Sequence, residues 1–145
     1  MRKCGDCKEC CTTLDHSVTP YDTPCPHECR KGCGIYADRP DDCQSFRCSW
    51  LDGHLPRKDR PDLSGLIVGM ELTRLGPTVV LYETRDGAAN RGRGVGLCNM
   101  AGEHATRQGI PCFLRRHPVG FAALNQKALY GAVDLIREEI GDEDD

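Results

Sequence analysis

The sequence has few aromatic residues and no long apolar run. Aromatic side chains make up 6% of the 145 residues, and no stretch approaches the roughly 18 consecutive apolar residues of a membrane-spanning helix. The first residues, Met1-Arg2-Lys3-Cys4, carry no apolar stretch of the kind found in secretory leaders. We therefore expect a cytoplasmic protein that does not enter a membrane.

An excess of charge of either sign is also missing. Lys and Arg number 19, and Asp and Glu number 22, which gives a net charge of −3 at pH 7. A nucleic-acid-binding domain usually has a basic excess, and an acidic disordered chain has a large excess of carboxylates. Neither class fits this composition, so we expect no nucleic-acid partner.

Apolar side chains are scarce in the first part of the chain. Residues 1–62 contain 11 apolar residues besides cysteine, too few for a conventional core, and small domains of this kind are held together by disulfides or metal ions. The chain has 11 cysteines, an odd number that leaves one thiol over in a closed set of disulfides. Stable disulfides are also rare in a reducing cytosol. We therefore predict metal ligation.

Nine of the cysteines lie within the first 48 residues and are the predicted ligands. The first run has the spacing C-x2-C-x2-C-C, in which each x2 turn aims two sulfurs at one ion while backbone N–H groups point at the sulfurs. Eight thiolates suffice for two tetrahedral zinc ions, which we favour. A bridged pair of ions, iron, and an iron–sulfur cluster beside one zinc stay open. The candidate metal ligands are Cys4, Cys7, Cys10, Cys11, Cys25, Cys29, Cys33, Cys43 and Cys48.

The order of these cysteines and their neighbours resembles a known family. Over roughly residues 4–62 the chain is similar to the CxxCxxCC family of zinc- or iron-chelating domains (YkgJ-like). The resemblance implies a cysteine-ligated metal centre in which eight of the nine cysteines are ligands, with Cys29 found in only some members. The matching segments besides the cysteine runs are Gly32-Cys33-Gly34-Ile35-Tyr36, Arg39-Pro40-Asp41-Asp42-Cys43, Phe46, Trp50, Leu55-Pro56 and Arg60-Pro61.

Residues 63–145 are richer in apolar side chains and predict regular structure. Alternating apolar residues predict strands over 66–73 and 78–84, joined into a hairpin, and a short edge strand over 110–114. We predict a small α+β fold in which an irregular, Cys-rich, metal-bound segment, residues 1–62, packs on a short antiparallel sheet with two helices. Residues 63–145 supply the sheet and helices, and the two regions form one compact unit.

Helical spacing predicts the two helices of this second region. The first ends at Gly109, and the second spans 124–140 and has an apolar face. Residues 85–96 are predicted to be an exposed loop, because they are rich in Gly and Arg. Their glycines do not follow the G-x-G-x-x-G spacing of nucleotide-binding loops. The face of the second helix consists of Leu129, Ala132, Val133, Ile136 and Ile140.

Several residues near the cysteines are predicted to support the metal centre. Tyr36, Phe46 and Trp50 would shield the sulfurs from water, and Arg39 or Arg47 would offset the charge of the thiolates.

The histidines and the last two cysteines are given structural roles. With nine sulfurs nearby, His27 and His16 are predicted to be surface side chains rather than ligands. His104 is predicted to be half-buried beside the first helix. Cys98 and Cys112 are predicted to be small core residues.

The sequence has no Ser-His-Asp order, HExxH motif or paired carboxylates, and it names no catalytic residue. We favour a non-enzymatic module whose metal centre supports binding of a protein partner or a second copy of the chain. One alternative is an iron–sulfur oxidoreductase or electron carrier. Another is a structural component of a large particle such as a virion. Because the apolar cover of the sheet is predicted to be incomplete, we expect an exposed apolar patch or an unpaired edge strand over 110–114.

Overall fold

The computed structural model describes residues 2–5, 7–14, 21–30 and 32–141 and has the predicted α+β fold. The cysteine-rich part contains only short elements, in keeping with its lack of periodicity. They are helix α1 (Glu9–Thr13), strands β1 (Glu28–Cys29) and β2 (Gly32–Cys33), and helices α2 (Asp41–Ser45) and α3 (Pro61–Ser64), with single 3-10 turns between them. Strands β1 and β2 form a two-stranded antiparallel sheet.

The main sheet has four strands in the order β3-β4-β5-β6. Strands β3 (Leu66–Thr73) and β4 (Gly76–Glu83) form the predicted hairpin, with Leu66 opposite Glu83 and Thr73 opposite Gly76. Strand β5 (Cys112–Arg115) runs parallel to β4, and β6 (Phe121–Ala123) runs antiparallel to β5. The sheet is therefore mixed rather than wholly antiparallel, because the helix between β4 and β5 carries the chain back to the end of the sheet at which β4 begins.

The prediction that residues 110–114 form an edge strand is wrong. Strand β5 lies inside the sheet, between β4 and the unpredicted strand β6. Pro111 comes just before β5, and its carbonyl accepts a hydrogen bond from the Val79 N–H at 3.0 Å. Its missing N–H therefore removes no bond from the ladder.

Helix α4 (Arg93–Gln108) begins inside the segment predicted to be a loop. A 3-10 turn over Ala88–Asn90 precedes it, and Ala88 and Ala89 are buried. A Cβ atom on Gly94 would collide with the carbonyl oxygen of Ala88, so only glycine fits where the turn packs against the start of the helix. The helix ends, as predicted, at Gly109 in the left-handed conformation.

The arginines of this segment hold its backbone in place. The Arg85 guanidinium donates to the carbonyl oxygens of Asp62 and Leu63, both at 3.3 Å. Arg93 pairs with the buried carboxylate of Asp59. These contacts connect the segment before α4, and the first residue of α4, to the end of the cysteine-rich part. Arg85 and Arg93 are therefore bound to other parts of the chain and do not form the exposed loop that was predicted.

The core lies on both faces of the main sheet. On one face Leu66, Leu81 and Leu114 pack with Leu97 and the alanines of α4, and the cysteine-rich part adds Trp50, Leu51 and Leu55. On the other face a smaller cluster packs against the cysteine-rich part; its buried members are Leu14, Ile67, Val80 and Tyr82, with Phe46 partly buried beside them. The cysteine-rich part thus packs on the second face, as expected, but the cover is incomplete, because Phe121 of β6 lies on the same face as Tyr82 and is 70% exposed.

Helix α5 (Gln126–Ile140) forms where predicted, but its apolar face does not pack on the sheet. Leu129 and Ile140 are 52% and 66% exposed. The helix instead approaches the rest of the molecule through small residues. Ala128 is fully buried, and a Cβ atom on Gly131 would lie 2.7 Å from the Leu75 side chain. Close approach on the small-residue side turns the larger apolar side chains toward solvent.

None of the helices in the described part of the chain is both long and apolar enough to cross a bilayer.

Candidate metal centre

Eight cysteine side chains line two adjoining cavities between the cysteine-rich part and the main sheet. The smaller cavity, about 20 Å³, is lined by four of them, the inner set: Cys4, Cys7, Cys10 and Cys48. The larger cavity, about 130 Å³, touches three inner-set cysteines and is also lined by four others, the outer set: Cys11, Cys25, Cys33 and Cys43. The two sets therefore meet where Cys10 and Cys11 adjoin in sequence.

Short local elements aim these sulfurs. The N–H of Cys7 donates to the Cys4 carbonyl at 3.0 Å and closes the x2 turn between them. Cys10 and Cys11 are neighbours on α1, and successive helical residues point about 100° apart. The two cysteines therefore have different surroundings: Cys10 lines both cavities, whereas Cys11 lines the larger one alone.

Backbone N–H groups point at Cys7 and Cys48, and one of the donors, Glu9, lies in an x2 turn as predicted. The Leu51 N–H donates to Cys48 Sγ at 3.4 Å. The N–H groups of Glu9 and Asp62 donate to the Cys7 sulfur. Such bonds stabilise a thiolate, and they are a regular feature around cysteines that bind metals.

Burial opposes ionisation of the same thiols. It raises the pKa of Cys7 to about 12, and it also raises the pKa values of Cys33, Cys43 and Cys48. Negative charge on the other outer-set sulfurs adds to the rise at Cys33 and Cys43. A divalent cation reverses this balance, because a coordinating thiol is deprotonated outright.

The Cys10 and Cys11 side chains share a hydrogen bond that separates their pKa values. The Cys10 thiol donates to Cys11, which raises the pKa of Cys10 well above its usual value and lowers that of Cys11 to about 7. Burial adds to the rise at Cys10. One of the two sulfurs is thus easily ionised at the point where the inner and outer sets meet.

Arg39 is the cation that faces the outer set. Its guanidinium lies 3.9 Å from the centroid of the Tyr36 ring, and its Nε donates to the Tyr36 carbonyl at 2.8 Å. Its charge helps to lower the pKa of Cys11. The other arginine predicted for this role, Arg47, is paired with Asp52 at 2.5 Å in an exposed position. Arg39 is therefore the better placed of the two.

The aromatic residues predicted to shield the sulfurs all lie at the cavities. Tyr36 and Phe46 line the larger cavity and Trp50 lines the smaller one. The Tyr36 hydroxyl lies 3.8 Å from Cys4 Sγ and donates to it. Trp50 is held by its own hydrogen bond, from Nε1 to the Arg57 carbonyl at 3.1 Å.

Where the structure describes them, the remaining residues considered in the sequence lie away from the two cavities or contact only one of them. Cys29 is exposed and lines neither cavity, and exposed His27 touches the edge of the larger one. His16 lies outside the described residues. His104 is exposed on α4, so the prediction that it is half-buried is wrong. Cys112 is a core residue as predicted, with Cys98 partly buried against the same cluster.

Sequence reasoning missed a polar pair on the sheet wall of the larger cavity. Tyr82 and Glu71 both line it, and the buried Tyr82 hydroxyl donates to the Glu71 carboxylate. Burial and this bond both raise the pKa of Tyr82. The alternation of β3 places Glu71 on the same face as Ile67, which was the available signal for its position.

The donor chemistry fits a metal, but the side chains do not form a closed coordination sphere. Among the described residues, no group of three or more His, Cys, Asp or Glu side chains is already arranged as a metal site. The eight thiols nevertheless line two shared cavities, with N–H donors and the guanidinium of Arg39 beside them. Soft sulfur donors of this kind suit zinc or iron. Closing either sphere requires the sulfurs to draw together around an ion.

No protein-family model, curated protein or solved structure matches this chain.

Proposed function

We propose that the chain is a non-enzymatic module in which two zinc ions, one held by the inner set and one by the outer set, stabilise the cysteine-rich part for binding to a protein partner. The observation that carries this proposal is the gathering of eight thiols around two adjoining cavities, of which the smaller is lined by four and shares Cys4, Cys7 and Cys10 with the larger. Four thiolates saturate a tetrahedral zinc, and saturated sites are structural rather than catalytic.

The size of the apolar core explains why metal would be needed. Among its described residues, the cysteine-rich part contributes four large buried apolar side chains, which are Leu14, Trp50, Leu51 and Leu55. Three of these join the α4 face of the sheet, and Leu14 joins the other. Structural zinc adds about 10–16 kcal/mol of binding free energy to folding in small domains, which is comparable to the whole stability of a domain.

The charge of such a centre has local compensation. Eight thiolates around two Zn²⁺ ions leave a charge of about −4 by ligand counting. Arg39 and the N–H groups that donate to Cys7 and Cys48 provide positive charge or dipoles directed at the sulfurs. The zinc would supply only cross-linking. This chain's own residues bring the sulfurs to the two cavities, and Tyr36, Phe46 and Trp50 shield them from water.

The rival function, an iron–sulfur electron carrier or oxidoreductase, is favoured by one feature. The larger cavity has several times the volume of the smaller one, and it is also lined by Tyr21, Phe46 and Tyr82. A cluster with bridging sulfides needs more room than a single ion, and an apolar shell tunes its potential. Membership in the CxxCxxCC family, a cytoplasmic location and a place in a large particle stay predictions.

Metal analysis with an absorption spectrum tests the proposal. Protein purified reduced and without oxygen is expected to be colourless and to hold about two zinc ions per chain. Cys48→Ser and Cys43→Ser should each lose about one ion, because each removes a thiolate from a different set. Cys29→Ser is the matched control and should keep both. Brown protein containing iron would establish the rival, and protein that binds neither metal would refute both.

A further inference from the structure

We propose that helix α5 pairs antiparallel with α5 of a second copy of this chain. Four apolar side chains on the outer side of α5, the α5 stripe, remain uncovered: Leu129 (52% exposed), Val133 (37%), Ile136 (54%) and Ile140 (66%). Burial of such side chains contributes about 25 cal/mol per Å². A continuous uncovered row is therefore a binding surface rather than scattered surface apolar residues.

The spacing of the α5 stripe identifies a helix as the element that covers it. Its members follow one another at intervals of four, three and four residues, which is the alternation of d and a positions in a heptad. Side chains in that pattern insert as knobs into the holes of a facing helix with the same pattern. A strand or an extended peptide has a period of two and does not match it.

A second copy supplies such a helix, and the antiparallel direction makes the pair self-complementary. A two-fold axis between Val133 and Ile136 places Val133 opposite the partner's Ile136, and Leu129 opposite the partner's Ile140. This isologous arrangement is the usual symmetry of homodimers. Both apolar layers are then filled by residues of similar size, with no polar group between them.

The flanking residues favour the same direction. Antiparallel pairing puts Tyr130, 63% exposed, beside the partner's Arg137 on both sides of the axis, where a cation–π contact forms. Parallel pairing would instead place Arg137 against the partner's Ala132. The acidic side chains of Glu138 and Glu139 are directed to Arg74 of their own chain, at 3.7 and 3.3 Å, and away from the α5 stripe.

The helix is held well enough to present this surface. The Asn125 side chain caps its first turn by accepting from the Ala128 N–H at 2.9 Å, and Gly131 packs closely on Leu75. Two heptads bury less than the roughly 800 Å² per partner of a standard interface. We therefore expect a reversible dimer whose population rises with protein concentration. The inference rests on the proposed interaction-module function and names its partner.

The test uses two charged variants of the full metal-loaded chain in sedimentation velocity over a range of protein concentrations. Wild type should shift from monomer to dimer as concentration rises. Val133→Glu and Ile136→Lys should each weaken self-association at least tenfold, because each buries an unpaired charge. Asp134→Asn, on another side of the helix, is the control and should dimerise like wild type. Circular dichroism and metal content should be unchanged in all three, since these side chains are exposed.

Mixing the two charged variants tests the direction of pairing. In the antiparallel pair the carboxylate introduced by Val133→Glu faces the ammonium group introduced by Ile136→Lys in the other copy, and the two unchanged apolar side chains at these positions face each other. The mixture should therefore regain dimer. A parallel pair gains no ion pair, so an unrestored mixture would overturn the proposal. A wild type that stays monomeric, or a dimer insensitive to either charge, would also overturn it. Metal content is measured independently, so failure here is distinguishable from failure of the proposed metal centre.

Discussion

Replacing a single buried thiol should have very different effects in the two halves of the molecule. Cys7 and Cys112 are 8% and 0% exposed, and burial raises the pKa of each thiol to about 12. The two cysteines are thus matched in burial and in their resistance to ionisation. They differ in surroundings, since Cys7 lines both cavities while Cys112 packs in the core beside Leu114.

The same substitution, Cys→Ser, separates the two roles. At Cys112 serine puts an unpaired hydroxyl into the core, which costs about 1–3 kcal/mol. At Cys7 it removes one of four inner-set thiolates, and an alcohol is a poor replacement. Loss of that ion forfeits on the order of 10 kcal/mol, which is as large as the stability of the whole domain. We expect Cys112→Ser to fold with both ions, and Cys7→Ser to lose metal and the structure around it.

Limited proteolysis with metal analysis reads out the difference. Cys7→Ser should be cut rapidly within residues 2–62 and should hold at most one zinc per chain. Cys112→Ser and the milder Cys112→Ala should keep the cleavage pattern and metal content of wild type, with a lowered melting temperature. Equal metal content in Cys7→Ser and wild type would refute the assignment of the inner set. Metal loss in Cys112→Ala would refute the separation of core from metal centre.

Three further predictions concern the removal of metal, two glycines of α4 and the N-cap residue of α5. A strong chelator added to the reduced protein should abolish protease resistance of the cysteine-rich part, and an unchanged digestion pattern would contradict a structural metal. In denaturant titrations, Gly94→Ala should lower the free energy of unfolding by about 1–3 kcal/mol, because the added Cβ would collide with the Ala88 carbonyl. Gly96→Ala is the control: its Cβ would have no atom within 4 Å, so this variant should raise the free energy of unfolding by about 0.5–1 kcal/mol. Asn125→Ala should lower the free energy of unfolding by about 2–3 kcal/mol, because it removes the cap on α5 together with the bond from the Cys112 N–H to Oδ1 and the bond from Nδ2 to the Ile110 carbonyl. A change below about 0.5 kcal/mol in the same titration would contradict this role.

The hairpin and the helix ends could be predicted because local chemistry determines them. Alternation of apolar residues defined β3 and β4, and Gly109 marked the end of α4. The direction of β5 was not predictable in this way, because a period of two is the same in parallel and antiparallel pairs. Strand β6, with three residues, is too short to show any period.

The orientation of α5 shows where hydrophobicity alone misleads. Its larger apolar residues suggested a core-facing side, yet the side that packs consists of Ala128, Gly131 and the half-buried Leu135. Small residues allow the Leu75 side chain to approach closely, and this contact is a property of the tertiary structure rather than of the helix. The sequence therefore predicted an apolar face correctly and assigned it to the wrong surroundings.

The candidate site was predictable as a list of residues but not as an arrangement. Spacing and resemblance identified the eight cysteines that line the cavities, and the resemblance already implied that Cys29 is present in only some members of the family. The division into two sets depends on Cys48, which joins the first three cysteines across more than thirty intervening residues. Ligands that interleave along the chain carry no local signal of their partners, so only the fold reveals the grouping.

The main sheet joins the two parts of the molecule at the candidate metal centre. Its second face, formed by Ile67, Val80 and Tyr82, packs on Leu14 and on the partly buried Cys10 and Cys48. Ile67 is also a wall of the smaller cavity. The sulfurs thus serve at once as proposed ligands and as apolar cover for the sheet. Loss of metal should therefore uncover one sheet face as well as loosen the cysteine-rich part, and the hairpin of β3 and β4 should lose stability together with the centre that it supports.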